Sequence, residues 1–178
     1  DRVIEIGAVK IKNNEIVDRF STFVNPQIPI SFRIENLTGI NDQMVMNAPK
    51  IEEILPEFLE FCEGAVMVAH NAEFDTSFII NKAEKIGINV DTTIIDTVLL
   101  AQFLMPNLHN YKLDTLTKHL NVVLESHHRA VDDAAATADI FVKMIKMLYD
   151  RDIPDVDKLN EEGKMDENAI KKLHQYHC

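Results

Sequence analysis

Val66-Met67-Val68-Ala69-His70-Asn71-Ala72-Glu73-Phe74-Asp75 is an apolar run that stops at a polar pair and restarts as a helical pattern. Four small or branched apolar residues after Gly64 predict a short, fully buried strand over 66–69. From Phe74 the apolar residues fall at Phe74, Phe78, Ile79 and Ile86, which is helical spacing. Asp75 precedes Phe78 and Ile79 by three and four residues, so it is expected on their inward side. An acid at that position is costly unless something compensates it. Two compensations are open: the free amides of a first helical turn, or a metal ion.

The rest of the chain is of a size to frame such a site. Its 178 residues suit one domain with a real core, and 46% hydrophobic with 26% charged residues is a globular balance. No apolar run approaches the ~20 residues of a membrane span, and no signal peptide opens the sequence, so a cytoplasmic setting is expected. Cys62 and Cys178 make no disulfide framework; Cys62 falls in an apolar helical stripe and is expected to pack there. The formal charge of −11 argues against gripping nucleic acid by bulk electrostatics. It leaves room for a nuclease, because metal-binding carboxylates are themselves negative. The chain opens without an initiator methionine and inside a strand-like pattern, as a piece of a longer polypeptide would.

Strand-like stretches at 3–11 and 16–24, joined by Asn13-Asn14, predict a hairpin. The segment from Ser31 to Pro49 reads as a polar loop holding the apolar insertion Leu37-Thr38-Gly39-Ile40, either a plain turn or a binding element. Pro49, Glu52 and Glu53 signal a helix start, followed by a stripe of Ile51, Ile54, Leu55, Phe58 and Cys62. A strand over 92–95 leads through Asp96-Thr97 into an apolar helix ending near Leu104, and a short helix spans Leu113 to Leu120. The longest helix follows His127-His128-Arg129-Ala130-Val131-Asp132-Asp133, with Asp133 aligned to the stripe of Ile140, Phe141 and Met144. Asp133 is thus a second inward acid at a helix start. After Asp150 the composition turns polar, and 151–178 reads as a linker or tail. The alternation predicts an α/β sandwich, a mixed sheet with helices on its faces, whose sites gather at carboxyl ends of strands.

Two such aspartates and a histidine make a hydrolytic set. Mg²⁺ and Mn²⁺ prefer carboxylate oxygens, and a two-metal site stabilises both oxygens of a phosphodiester displacement. His128, with an ordinary pKa of ~6.5, suits a proton acceptor near neutral pH; the alternative is a surface histidine. His70 is expected to pack or orient its neighbours. Arg129 and Lys112 read as solvated surface that could reach a phosphate. His174, His177 and Cys178 cluster too loosely at a chain end to read as a zinc site.

His70-Asn71-Ala72-x-Phe74-Asp75 and His128-Arg129-Ala130-x-x-Asp133 resemble the second and third motifs of the DnaQ-like 3′–5′ exonucleases, in their histidine-containing branch. Ile4-Glu5-Ile6-Gly7-Ala8-Val9, Leu37-Thr38-Gly39-Ile40 and Asp96-Thr97 recur at the corresponding places, so the likeness covers about residues 1–150. It is nearest to the proofreading exonucleases inserted in PolC-type bacterial DNA polymerase III, and residues 158–177 resemble the sequence after that insertion. The resemblance implies an RNase H-like three-layer sandwich, with 1–150 as an N-terminally truncated exonuclease domain and 151–178 leading back toward the polymerase. It implies Asp75 and Asp133 as ligands of Mg²⁺ or Mn²⁺ and His128 as general base. Leu37, Thr38, Gly39, Asn71 and Phe74 would border the terminal nucleotide, although each can equally be core or turn. The implied partners are the 3′ end of single-stranded DNA, the remainder of the polymerase chain and the replication machinery. The family's first motif, an Asp-x-Glu-Thr-like strand, would stand just before Asp1, and Glu5 aligns elsewhere. The 178-residue chain is therefore expected without its first strand, poor in metal affinity and inactive alone. Two other readings stand beside this one: a stand-alone exoribonuclease of the superfamily, and a non-catalytic module binding nucleic acid or partners.

Overall fold

Asn13 and Asn14 turn the chain with φ of 53° and 65°, a left-handed pair that asparagine tolerates and that matches the twist of a tight hairpin. They join β1 (Glu5–Lys12) to an antiparallel β2 (Glu15–Phe23), with a register slip between Lys10 and Ile11. The computed structural model describes residues 2–124 and 129–151, with the backbone alone at residues 73–75. The described residues gather into two compact units. One draws on residues 2–64, 78–90, 124 and 129–135; the other draws on residues 65–77, 91–123 and 136–151.

In the first unit the hairpin is followed by α1 (Phe32–Thr38), α2 (Asp42–Val45) and α3 (Ile51–Cys62). The first two correct the loop expected over 31–49. Ser31 and Asn41 cap them through side-chain oxygens that accept the Ile34 and Met44 amides, and Gly39, at φ 71°, closes α1 in the left-handed form. They escape a periodicity reading because α1 buries nothing: Phe32 is 77% exposed. In α3, Glu53 accepts the Lys50 amide at 2.7 Å, and Ile51, Ile54, Leu55 and Phe58 are buried as the stripe predicts. Phe20 meets Phe58 edge-on with centroids 5.4 Å apart. Cys62 is half-buried, and burial pushes its thiol up to about 11, so it packs as a small apolar group at neutral pH.

In the second unit β3 (Met67–Ala69) pairs in parallel with β4 (Ile94–Asp96), setting Ala69 opposite Asp96. The strand is shorter and less buried than expected: Val66 is exposed, and all three residues of β3 are half-buried. After β3 comes α4 (Ala72–Lys85), whose residues up to Ser77 belong to this unit and whose residues from Phe78 belong to the first. Its fully buried positions are Ala72, Thr76 and Ala83, whereas Phe78 and Ile79 are half-buried and Ile86 beyond it is exposed. β4 runs directly into α5 (Thr97–Leu104), followed by α6 (Leu113–Leu120) and α7 (Ala130–Asp150). Leu100, Leu104, Leu116, Ile140, Met144 and Leu148 form one apolar cluster, matching the expected stripe of α7. The class is α/β with both strand senses present, the four described strands forming two two-stranded sheets. Among the described residues no helix is long and apolar enough to cross a membrane.

Candidate active site

The start of α4 is built by a carboxylate from the neighbouring strand. Asp96, the last residue of β4, is buried and accepts the amides of Asn71 at 3.2 Å, Ala72 at 3.0 Å and Val98 at 2.8 Å. One side chain therefore caps two helices, since Ala72 opens α4 and Val98 lies in the first turn of α5. Amides left free at helix N-termini carry partial positive charge, which compensates a buried anion. Asn71 reaches this arrangement with φ 62°, a left-handed turn that aims its N–H back at Asp96. His70 Nδ1 lies 2.9 Å from the Thr97 hydroxyl, which also lies 3.4 Å from the Ala69 carbonyl oxygen. Burial lowers the pKa of His70, with Asp96 acting in the opposite sense, so its imidazole is neutral at physiological pH. His70 thus orients its neighbours, as expected. The backbone of Asp75 lies in the first turns of α4, three residues beyond Ala72; the side chains of Asp75 and Phe74 fall outside the described residues.

The start of α7 is held in a parallel way. Glu5 of β1 accepts Arg129 Nε at 3.1 Å and Nη2 at 2.8 Å through Oε1, and the Ala130 amide at 3.0 Å through Oε2. The Glu5 side chain is 5% exposed and that of Arg129 40%. Glu5, first by hydrogen bond and then by its charge, raises the pKa of Arg129. The Arg129 guanidinium lies 5.4 Å from the Phe23 ring centroid. The Asp133 amide donates to the Arg129 carbonyl at 3.0 Å, and the Asp133 side chain is half-buried. His128 lies outside the described residues.

Leu37, Thr38 and Gly39 close α1 within the first unit. Leu37 is exposed, while the Thr38 hydroxyl donates to the Ile34 carbonyl at 2.8 Å and accepts the Ile40 amide at 3.1 Å. Ile40 is fully buried beside them. Thr38 therefore has a structural task of its own, and Leu37 is the apolar surface on offer.

Sequence reasoning passed over two residues as functional supports. Asp96 carries the same signature as Asp75, an acid where an apolar strand turns into a helix. Glu5 breaks an apolar strand, and a buried acid in such a strand calls for a partner. Among the described residues no three His, Cys, Asp or Glu side chains meet as a metal cage. As donors, Asp75 and Asp133 fit a hard divalent cation: both are carboxylates, and both stand in the opening turns of helices whose first amides are already engaged by another acid.

Comparison with known proteins gives a consistent result. The model of the exonuclease family RNase T matches residues 1–141. The DNA polymerase III PolC-type of Caldanaerobacter subterraneus subsp. tengcongensis is 56% identical over 99% of the chain, and that of Clostridium perfringens 48% over 99%. The chain spans only 13% and 12% of the length of these relatives. A solved structure of exonuclease X in complex with 5′ overhanging duplex DNA has a TM-score of 0.67 and 28% identity, covering 82% of this chain and 83% of that one. A full-length 3′-exonuclease, 20% identical, shares the fold with a TM-score of 0.68 over 82% of this chain and 53% of its own. The chain belongs to the RNase T exonuclease family.

Proposed function

We propose that this chain is the 3′–5′ exonuclease part of a PolC-type DNA polymerase III, proofreading the 3′ end of single-stranded DNA in the cytoplasm. Residues 1–150 contribute to the exonuclease domain and residues 151–178 lead toward the rest of the polymerase. The observation that carries this reading is the placement of the two motif aspartates. Asp75 stands in the opening turns of α4 just after β3, and Asp133 in the first turn of α7, each helix start being clamped by a strand-borne acid. The identity to PolC-type relatives supports the polymerase context.

Asp75 and Asp133 would each offer a carboxylate to a divalent cation, Mg²⁺ or Mn²⁺. When bound, such ions offset charge on the attacking and leaving oxygens. His128 accepts a proton from the attacking water as its oxygen bonds to the terminal phosphorus. The bond from phosphorus to the 3′ oxygen of the preceding nucleotide breaks, that oxygen takes up a proton, and a 5′-nucleoside monophosphate leaves. Leu37, Thr38, Gly39, Asn71 and Phe74 are assigned to the terminal nucleotide, Thr38 also fixing the turn at Gly39. Apolar and stacking contacts of this kind tolerate any base, as proofreading requires.

Release of 5′-monophosphates from a single-stranded oligonucleotide, measured on the intact protein with Mg²⁺, tests the assignment. Asp133→Asn and Asp75→Asn should each lower kcat by about 10²-fold or more, on the scale of losing a pre-organised electrostatic contact. His128→Ala should cost about 10²–10⁴-fold. Full activity in either aspartate variant would overturn the assignment.

A further inference from the structure

We propose that Glu5 is a positioning residue for the reaction, setting the first turn of α7, which carries Asp133, through its hold on Arg129 and Ala130; the proposal rests on the reading of Asp133 given above. Glu5 lies 124 residues before Arg129 in sequence, yet its carboxylate is almost wholly buried against the start of α7. Both oxygens are in use: Oε1 takes two guanidinium N–H groups and Oε2 takes the first amide of the helix. Side chain and main chain of the same short segment are thereby fixed by one group.

The backbone reinforces this. A Cβ on Gly7 would lie 2.2 Å from the carbonyl carbon of Ala130 and 2.2 Å from the nitrogen of Val131. β1 therefore passes directly against the first peptide units of α7, which is why Glu5, two residues away, can reach them. Arg129 in turn lies against Phe23 on β2, where a rigid planar guanidinium suits both the ring and the carboxylate.

From this latch the consequence runs along the chain. Arg129 adjoins His128 in sequence, and its carbonyl accepts the amides of Asp132 and Asp133, each at 3.0 Å. Anchoring Arg129 thus sets the first turn from which the Asp133 side chain projects. The ion pair that makes the anchor also removes Arg129 from the set of free cations, so its task is to hold the turn in place. An ammonium could pair with Glu5 but could not present two parallel donors to one oxygen.

The test uses Glu5→Gln in the intact protein, with two readouts: kcat and KM for nucleotide release from a single-stranded oligonucleotide, and Mn²⁺ binding by titration without nucleic acid. Misplacing catalytic groups by about an ångström costs on the order of 10²-fold, and losing a residue that orients a metal ligand costs about 10–100-fold in metal affinity. Glu5→Gln should therefore lower kcat by about 10–100-fold with KM within about twofold, and weaken Mn²⁺ binding by about tenfold. Arg129→Lys, which retains the charge and the Ala130 cap, should fall between the wild type and Glu5→Gln on both readouts. Should Glu5→Gln fail to fold, Arg129→Gln carries the same expectation, with kcat reduced and Mn²⁺ binding weakened.

A variant that loses stability but keeps wild-type kcat and Mn²⁺ affinity would overturn the positioning role. Asp133→Asn separates the two levels of inference. If it abolishes Mn²⁺ binding while Glu5→Gln leaves binding and kcat unchanged, positioning by Glu5 fails and the ligand assignment stands. If Asp133→Asn itself leaves both unchanged, the ligand assignment fails and this proposal falls with it.

Discussion

Gly7 is defined by what lies across from it. With two backbone atoms of α7 at 2.2 Å from where a Cβ would stand, no rotamer change can relieve a methyl group there. Gly7→Ala should therefore destabilise the fold by about 1–3 kcal/mol, the usual range for overpacking, and a denaturant midpoint measures it. An unchanged midpoint would mean that β1 and α7 lie farther apart than described. His70 offers a second test at this scale. Burial sets its folded pKa below the unfolded value of ~6.5, so at mildly acid pH the unfolded chain binds more protons. Stability attributable to His70 should be complete above the unfolded pKa, decline as pH falls through it, and level off below the folded pKa. Urea midpoints across this window should lose that component in His70→Gln, and identical pH profiles for both proteins would exclude it.

Among the secondary elements, Asp96 has the widest reach, because two helices begin from its carboxylate. Asp96→Ala orphans three amides near the starts of α4 and α5, at about 1–3 kcal/mol for each group left buried and unpaired. A loss of about 3 kcal/mol or more is expected, with faster hydrogen exchange at Asn71, Ala72 and Val98. Asp96→Asn should cost less, since its remaining oxygen can still accept the Asn71 and Val98 amides. Exchange protection unchanged in the alanine variant would show that these helices start without it. The elements also differ in how well they could be read. α6 appears over the residues its apolar spacing predicts, bounded by Asn121 in the left-handed form. α1 and α2 did not, because short helices held by caps and not by a buried stripe leave no period to detect. On α4 the buried positions Ala72, Thr76 and Ala83 leave little trace in the sequence, because small residues carry little weight in a hydrophobic pattern.

At the scale of the whole chain, a formal charge of −11 means that attraction to a polyanion does not bring substrate in. Its PolC-type relatives extend well beyond the matched segment, which makes up 12–13% of their length. Class, helix order and the two aspartate-bearing helix starts were legible because each leaves a local mark, a period or an acid out of place. The supports of the site were not. Glu5 and Arg129, or Asp96 and Asn71, are linked only by folding, and a spacing rule has no way to join residues so far apart.

That separation has a further effect on what the sequence can tolerate. The first amide of α7 is held by a strand residue 125 positions earlier in the chain. A change in β1 is therefore expected to reach the acid at the head of α7, although more than a hundred residues separate the two in sequence.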